Sequence, residues 1–334
     1  MSGLQDRLTD ALYGATAHYA NLLGEPFAID AVVRLADDPA FWALVELKDD
    51  RLAIHVSRGV IEQTDDLWRR ALDAADPAFA STMEPDREVR SSLVWLLFHE
   101  MQHFDLHHFD ILDRAAIGEA SPPEHFGLVS RRTTVPRWLA HLDAGEHLRI
   151  ERCLEMQADH DAIECLLDAY GSEGWDILRQ RAAAVSAMMV LIERADIGTD
   201  PDRSSHPRAA TRIFQLIGHL IDMPTIPARM KAFERGADRI DPDDLPSDEE
   251  QMAYMRAVAL PAYRDAVHLV RVANAESIAR DLGDAEKLFL DIQNARLHGA
   301  DALTMMHTEG GREWADLTRL NRDVLSNLGF NTPS

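Results

Sequence analysis

The sequence has little of what marks secreted, nucleic-acid-binding or membrane-spanning proteins. It has two cysteines, Cys153 and Cys165, which lie in one predicted helix and are too far apart along it to pair. Lysine occurs at three positions only, and acidic residues outnumber basic ones by 57 to 34. The resulting net charge of −23 argues against a general surface for nucleic acid or for anionic membranes.

Long apolar segments and a leader sequence are also missing. The longest apolar-rich run, 182–192, is far shorter than the roughly 20 residues that a membrane-spanning helix needs. The first residues lack a basic segment followed by an apolar one, so no signal peptide is predicted. Since reduced thiols are the default for such a chain, we expect a cytoplasmic protein with no membrane partner.

What is present is the composition of a globular, helix-rich protein. Hydrophobic residues make up 46% and charged residues 27% of the 334 residues, so extensive disorder is not expected. The β signal is confined to a hairpin with strands at 41–47 and 51–56. We predict a mainly α fold with a small β-sheet. The predicted helices are 4–23, 58–74, 88–115, 144–169, 174–195, one that starts at Ser205 as N-cap, and several across 249–329.

The motif that organises the chain is His-Glu-x-x-His, from His99 to His103. It lies in an apolar stretch with no glycine or proline between residues 89 and 117, which favours a buried helix. On a helix the two histidines share one face, so both imidazoles reach one metal ion. Glu100 lies one residue round, where it reaches a water molecule on that ion. The motif therefore predicts a catalytic zinc site.

Such a site needs a third protein ligand. His107 is one turn beyond the motif, but three histidines at this spacing would span about 12 Å of helix axis, too far for one ion. The predicted helix 144–169 offers Glu155 and Asp159, four residues apart on one face. One of these carboxylates can bind zinc while the other accepts an N–H from a ligand histidine.

At this point the sequence resembles a known group. His-Glu-x-x-His followed by Glu-x-x-Ala-Asp resembles the pattern of gluzincin-type zinc metallopeptidases. It is most similar to the family of the CAAX prenyl proteases and their soluble relatives, and it also resembles the bacterial phage-exclusion peptidases. His206-Pro207 with the later Arg212 resembles that family's downstream His-Pro…Arg segment. The predicted hairpin and helix at 41–74 resemble the edge strand and helix that precede the zinc helix in that family.

The resemblance covers residues 40–220 and implies a role for each matching residue. The implied zinc ligands are His99, His103 and Glu155. Glu151, one turn earlier on the same helix face, is the alternative third ligand that the spacing itself offers. Glu100 would be the general base and His206 would stabilise the developing oxyanion. With Glu155 as ligand, Asp159 is left as the carboxylate that supports a ligand histidine. Arg212 would pair with a carboxylate of the zinc shell, Glu155 by preference. The chain departs from the family at Gln102, where a small glycine is usual, and it lacks the transmembrane helices of the membrane-bound members.

The resemblance also implies the organisation and the function of the chain. It implies a zincin-like α+β metallopeptidase domain, which we place at 1–222. The prolines and the acidic run after Met223 predict a linker or surface excursion at 223–248, and the pattern beyond it predicts a helical C-terminal region at 249–334 that the resemblance does not cover. The implied activity is zinc-dependent hydrolysis of peptide bonds in the cytoplasm, on a peptide or protein held in extended form along the hairpin. The C-terminal helices offer a surface for a homo-oligomer.

Three other functions remain open at this stage. The protein could hold a metal and act as a regulatory or interaction module without turnover, although Glu100 has no purpose in a purely structural site. A di-iron oxidoreductase uses Glu-x-x-His, which Glu100 and His103 match, but it needs a second copy of the motif, which the sequence lacks. His160-Asp161 resembles the His-Asp pair of helical phosphohydrolases, but only as a dipeptide.

Overall fold

The fold is given by a computed structural model, which describes residues 2–48, 51–75, 77–109, 144–171, 174–197 and 204–327. The prediction of a mainly α fold with a small β-sheet and a helical C-terminal region is confirmed. Residues 118–137, whose glycines and prolines predict an irregular segment, lie outside the described residues. None of the described helices combines the length and the apolar character that crossing a bilayer requires.

The sheet of the described chain has three strands in the order β1-β3-β2: β1 (Asp30–Ala36), β2 (Ala43–Lys48) and β3 (Arg51–Ser57). Strands β2 and β3 pair antiparallel, so the predicted hairpin is confirmed. Strand β1 pairs parallel with β3, with Val33 opposite Ile54, and was not predicted. Its side chains are partly buried or exposed without alternation, so the period-two pattern that reveals a strand is absent.

The helices of the described residues form two groups along the chain, those before and those after residue 223, where the predicted linker begins. Before it are α1 (Ser2–Leu23), α2 (Arg58–Asp73), the single turn α3 (Pro77–Ala80), α4 (Pro85–Asp105), α5 (Ala144–Leu167), α6 (Trp175–Ala195) and α7 (Ala209–Asp222). After it are α8 (Ile226–Glu234), α9 (Asp248–Tyr254), a π-helical segment (Met255–Ala259), α10 (Leu260–Ala273), α11 (Glu276–Leu282), α12 (Ala285–His298) and α13 (Glu309–Asn327). Short 3₁₀ turns lie at Met223–Thr225, Pro242–Asp244 and Gly299–Met305.

Two predicted helix boundaries were wrong. Helix α4 ends at Asp105 rather than at 115, because His107 adopts a left-handed conformation with φ 56°, which terminates the helix. Helix α7 begins after Arg208, so Ser205 is not its N-cap. The residue before a proline avoids the helical region, and His206 precedes Pro207, so the helix starts only beyond that pair.

Helix α6 lies at the centre of the core and is buried along its length from Ala182 to Ile192, as its apolar sequence indicates. It packs against α4, α7 and α10. The buried apolar side chains form a cluster that extends from Leu8 to Ala315 and so includes the C-terminal helices. Within the predicted linker 223–248 lies α8, although most of that segment is exposed. The three-part domain division stays a prediction.

The C-terminal helix α13 lies against the two helices α5 and α7. Its first turn approaches α7 so closely that a Cβ atom at Gly310 would lie 2.6 Å from the carbonyl oxygen of Ala210. Only glycine leaves room for this contact. The last described helix is therefore built into the same helix group that holds the candidate site.

Candidate metal centre

The residues of the His-Glu motif meet those of α5 where α4 and α5 pack together. His99, Glu100 and His103 project from α4, and Glu155 projects from α5. All four side chains are buried. Metal-binding atoms of the two histidines and of Glu155 lie within 4.8 Å of one another. The structure thus brings together the three residues that were predicted as ligands.

The distances between these atoms match the distances expected between the ligands of one small ion. The Nε2 atoms of His99 and His103 are 3.2 Å apart. Glu155 places Oε2 3.3 Å from His99 Nε2 and Oε1 3.5 Å from His103 Nε2. In a tetrahedral zinc site with bonds of about 2.0–2.2 Å, ligand atoms are about 3.3 Å apart. Glu155 Oε2 is buried and accepts no hydrogen bond from the described residues, so its lone pairs remain available to a cation.

The electrostatics of the cluster also favour a cation. Burial would lower the pKa of His99, but the carboxylates of Asp159 and Glu155 outweigh it and raise that pKa to about 10. Burial raises the pKa of Glu155, but the neighbouring histidines His206, His103 and His99 hold it well below the usual range. Glu155 is therefore a carboxylate, and the space beside it stabilises positive charge.

Asp159 and Arg212 contact the candidate ligands His99 and Glu155, respectively. Asp159 Oδ1 lies 3.0 Å from His99 Nδ1, the ring nitrogen that faces away from the cluster. This placement matches the predicted role of Asp159, because a carboxylate at Nδ1 fixes the ring and leaves Nε2 for a metal. Arg212 donates from Nη1 to the same Oδ1 at 3.0 Å, while its Nη2 lies 3.6 Å from Glu155 Oε2. The predicted contact with Glu155 thus exists, but that with Asp159 is shorter.

His206 is held beside the cluster by the segment that leads into α7. Its backbone N–H donates to Ser204 Oγ at 3.1 Å, and its Nε2 lies 3.7 Å from Glu155 Oε2. Burial lowers the pKa of His206 although Glu155 opposes the effect, so the ring is neutral near pH 7. It does not belong to the group of three that share one ion.

Glu100 is the buried acid of the cluster. Burial raises its pKa to about 7, with His99 opposing the shift and Glu155 adding to it. An acid in this range can both take up and release a proton at neutral pH. Glu151, the alternative third ligand, lies one turn before Glu155 and is not among the three residues that share a site.

A hydrogen-bonded chain behind His103 was missed by the sequence analysis. The Nδ1 atoms of His103 and His108 are 2.8 Å apart, and His108 Nε2 lies 3.0 Å from Gln157 Oε1. Gln157 Nε2 in turn donates to Oδ1 of Asn321 on α13. If His103 uses Nε2 for a metal, its Nδ1–H donates to His108, and His108 donates to Gln157. Every hydrogen bond of the series then has one donor and one acceptor.

No protein-family model, no curated protein and no solved structure matches this chain. The gluzincin resemblance therefore remains a prediction from short motifs.

Proposed function

We propose that this chain is a zinc-dependent hydrolase of peptide bonds. One observation carries the proposal: the ligand atoms of His99, His103 and Glu155 converge within 4.8 Å in a buried site, with Glu100 next to the first ligand in the sequence. Two imidazoles and one carboxylate are the ligand set of catalytic zinc sites that keep a position open. These three residues would hold the zinc, which when bound would lower the pKa of a ligated water to about 7 and polarise the carbonyl of a substrate.

Glu100 is the proposed general base. It takes the proton from the attacking water and returns it to the leaving amine, a contribution that is typically 10²- to 10⁴-fold. Glu100 is 4% exposed, so its carboxylate is shielded from bulk water. A purely structural metal site has no use for such a group, and this favours an enzyme over a metal-binding module without turnover.

His206 and the pair of Asp159 with Arg212 have supporting roles in this proposal. His206 is neutral and buried beside Glu155, so its ring N–H can donate to the oxygen of the tetrahedral intermediate. Asp159 orients His99 through Nδ1, and Arg212 fixes Asp159 by a 3.0 Å hydrogen bond. Arg212 also balances the two buried carboxylates, which would otherwise repel one another.

The proposed substrate is a peptide or protein in extended form. Strand β2 is at one edge of the described sheet, with β3 on its inner side, and an extended peptide can add to such an edge. We place the protein in the cytoplasm, because Cys153 and Cys165 are buried free thiols.

The test compares the purified wild type with Glu100→Gln on a mixed peptide library, read by mass spectrometry of the products. We expect wild type loaded with zinc to cleave library peptides, and Glu100→Gln to retain zinc while losing cleavage by at least about 10²-fold. The matched control is Glu151→Gln, a neighbouring acid outside the ligand group, which keeps full activity. Zinc binding without cleavage by wild type would contradict the proposal and leave a metal-binding module.

Elemental analysis of Glu155→Ala tests the ligand set separately. We expect this variant to lose zinc from the site, since two histidines alone leave the ion without its third protein ligand. Glu151→Ala is the control and keeps the zinc. Loss of zinc in Glu151→Ala but not in Glu155→Ala would show that the third ligand is misassigned.

A further inference from the structure

A second group of ligand-type side chains lies on the same two helices, α5 and α7, outside the centre described above. It borders a cavity of about 330 Å³ that is formed between these helices, α8, α12 and α13. The wall of the cavity includes His160 and Glu164 from α5 and His219 from α7, facing the apolar rings of Phe214 and Trp314. None of the three polar residues belongs to the catalytic proposal.

The three polar residues are spaced for one ion. His160 and Glu164 are four apart on α5 and so share a face, and His219 approaches from α7. Glu164 Oε1 lies 3.7 Å from His160 Nε2 and 3.9 Å from His219 Nδ1, and the three ligand atoms are all within 4.8 Å of one another. The two distances from Glu164 exceed the tetrahedral value of about 3.3 Å by a few tenths of an ångström, and both depend on the rotamer of the half-exposed Glu164 side chain.

His219 gives an independent reason to expect a ligand. Its side chain is 91% buried, with 9% exposed, and it lines the cavity. It makes no hydrogen bond with the described residues, because its contact with Glu164 at 3.9 Å is too long for one. With no hydrogen-bond partner among the described residues, the ring of His219 can offer a nitrogen lone pair to a metal ion in the cavity wall.

His160 is oriented in the way that metal-binding histidines are. Its Nδ1 lies 3.1 Å from Oδ1 of Asp161, which fixes the proton on Nδ1 and leaves the lone pair of Nε2 directed toward Glu164. The His160-Asp161 dipeptide of the sequence thereby acquires a physical role. Two arginines also line the cavity, but Arg296 and Arg229 both contact Asp222, at 2.6 and 3.5 Å, so that part of their charge is compensated.

We propose that His160, Glu164 and His219 form a second divalent-metal site, which takes zinc or a similar ion and joins α5 to α7. Two imidazoles and one carboxylate select such a metal over calcium or magnesium, which prefer oxygen ligands. The fourth position opens into the cavity, where a water or a small anion completes the coordination. The site joins the helix of Glu155 and Asp159 to the helix of Arg212.

The test is a titration of metal-free, full-length protein with Zn²⁺ against a chromophoric chelator, followed by Co²⁺ absorption spectra. We expect two metal equivalents for wild type, one for Glu164→Gln, one for His219→Ala and one for Glu155→Ala. Glu164→Gln is included because the side chain is half exposed and glutamine keeps its size, so a loss of binding is not a loss of folding. The control His298→Ala removes an exposed histidine on α12 and keeps both equivalents.

The outcomes separate this site from the catalytic one. A single equivalent that is lost in Glu164→Gln and His219→Ala but kept in Glu155→Ala would support the second site and contradict the first. A single equivalent that is kept in Glu164→Gln and His219→Ala would overturn the second site. So would a second equivalent that persists in both variants, since it would then be bound elsewhere.

Discussion

The Nδ1 atoms of His103 and His108 are 2.8 Å apart, so one ring must donate a proton and the other must accept it. Since His103 presents Nε2 to His99 and Glu155, its proton belongs on Nδ1. His108 is therefore the acceptor that fixes the tautomer of a proposed ligand. Gln157 and Asn321 fix His108 in turn, and the last of these lies on the C-terminal helix α13.

We predict that His108→Ala lowers the zinc affinity of the first site by 10- to 100-fold, as is typical when the hydrogen-bond partner of a ligand histidine is removed. The measurement is competition for zinc against a chromophoric chelator. In this variant the N–H of His103 loses its buried acceptor, and the ring loses its orientation.

The matched control for this prediction is His107→Asn. It changes the adjacent exposed histidine and keeps a residue that tolerates the left-handed backbone at φ 56°. Its zinc affinity is expected to equal that of wild type. An equal affinity in His108→Ala would mean that the 2.8 Å contact does not orient His103.

The ligand cluster could be predicted from the sequence because its geometry is mostly local. A four-residue spacing on α4 fixes the relative positions of His99 and His103, and the same spacing on α5 fixes those of Glu155 and Asp159. The only long-range step was that α4 and α5 pack together. That step was taken from the family resemblance, since the 52-residue separation of His103 and Glu155 allows a return helix but does not require it to pack there.

The parts that were missed depend on contacts that no local pattern encodes. Strand β1 exists because it pairs with β3, and its own residues do not alternate. His108 was assigned to a helix that continues to 115, which would have turned it away from His103. The left-handed residue His107 ends α4 and brings His108 back to the cluster. Asn321 reaches Gln157 only because α13 packs on α5.

Arg212 gives a stability prediction. It is 2% exposed and contacts the carboxylates of Asp159 and Glu155. Arg212→Met leaves these two buried charges without their cation, so the free energy of unfolding is expected to fall by about 3–5 kcal/mol. Urea denaturation in the presence of a chelator measures this change without a contribution from metal binding.

The control for Arg212→Met is Arg208→Met, four residues earlier. Arg208 pairs with Glu309 at 2.8 Å, but its side chain is 40% exposed, so the expected loss is below about 1 kcal/mol. Equal losses for the two variants would show that burial does not set the cost, and would contradict the role given to Arg212.

Glu88 gives a prediction about pH. Its side chain is fully buried near the start of α4. One oxygen, Oε1, contacts Arg87 Nη2 at 2.6 Å and accepts from the backbone N–H of Glu84, while Oε2 has no hydrogen bond with the described residues. Burial raises the pKa of Glu88, although Arg87 opposes the shift. The folded state therefore holds the proton of this group more tightly than the unfolded state does.

The sign of the pH effect follows from that difference. As pH rises above the ordinary glutamate pKa of 4.5, the unfolded chain loses this proton before the folded chain does. The contribution of Glu88 to stability therefore falls with rising pH until the pKa of Glu88 in the folded state is passed. Glu88→Gln removes the titration. We predict that the free energy of unfolding of this variant, minus that of wild type, is larger at about pH 8 than at about pH 5, so the variant gains relative stability as pH rises. Urea denaturation at both values measures it, with the exposed Glu25→Gln as control. A relative stability that is the same at both values would mean that Glu88 stays ionised, and that Arg87 outweighs the burial of the carboxylate.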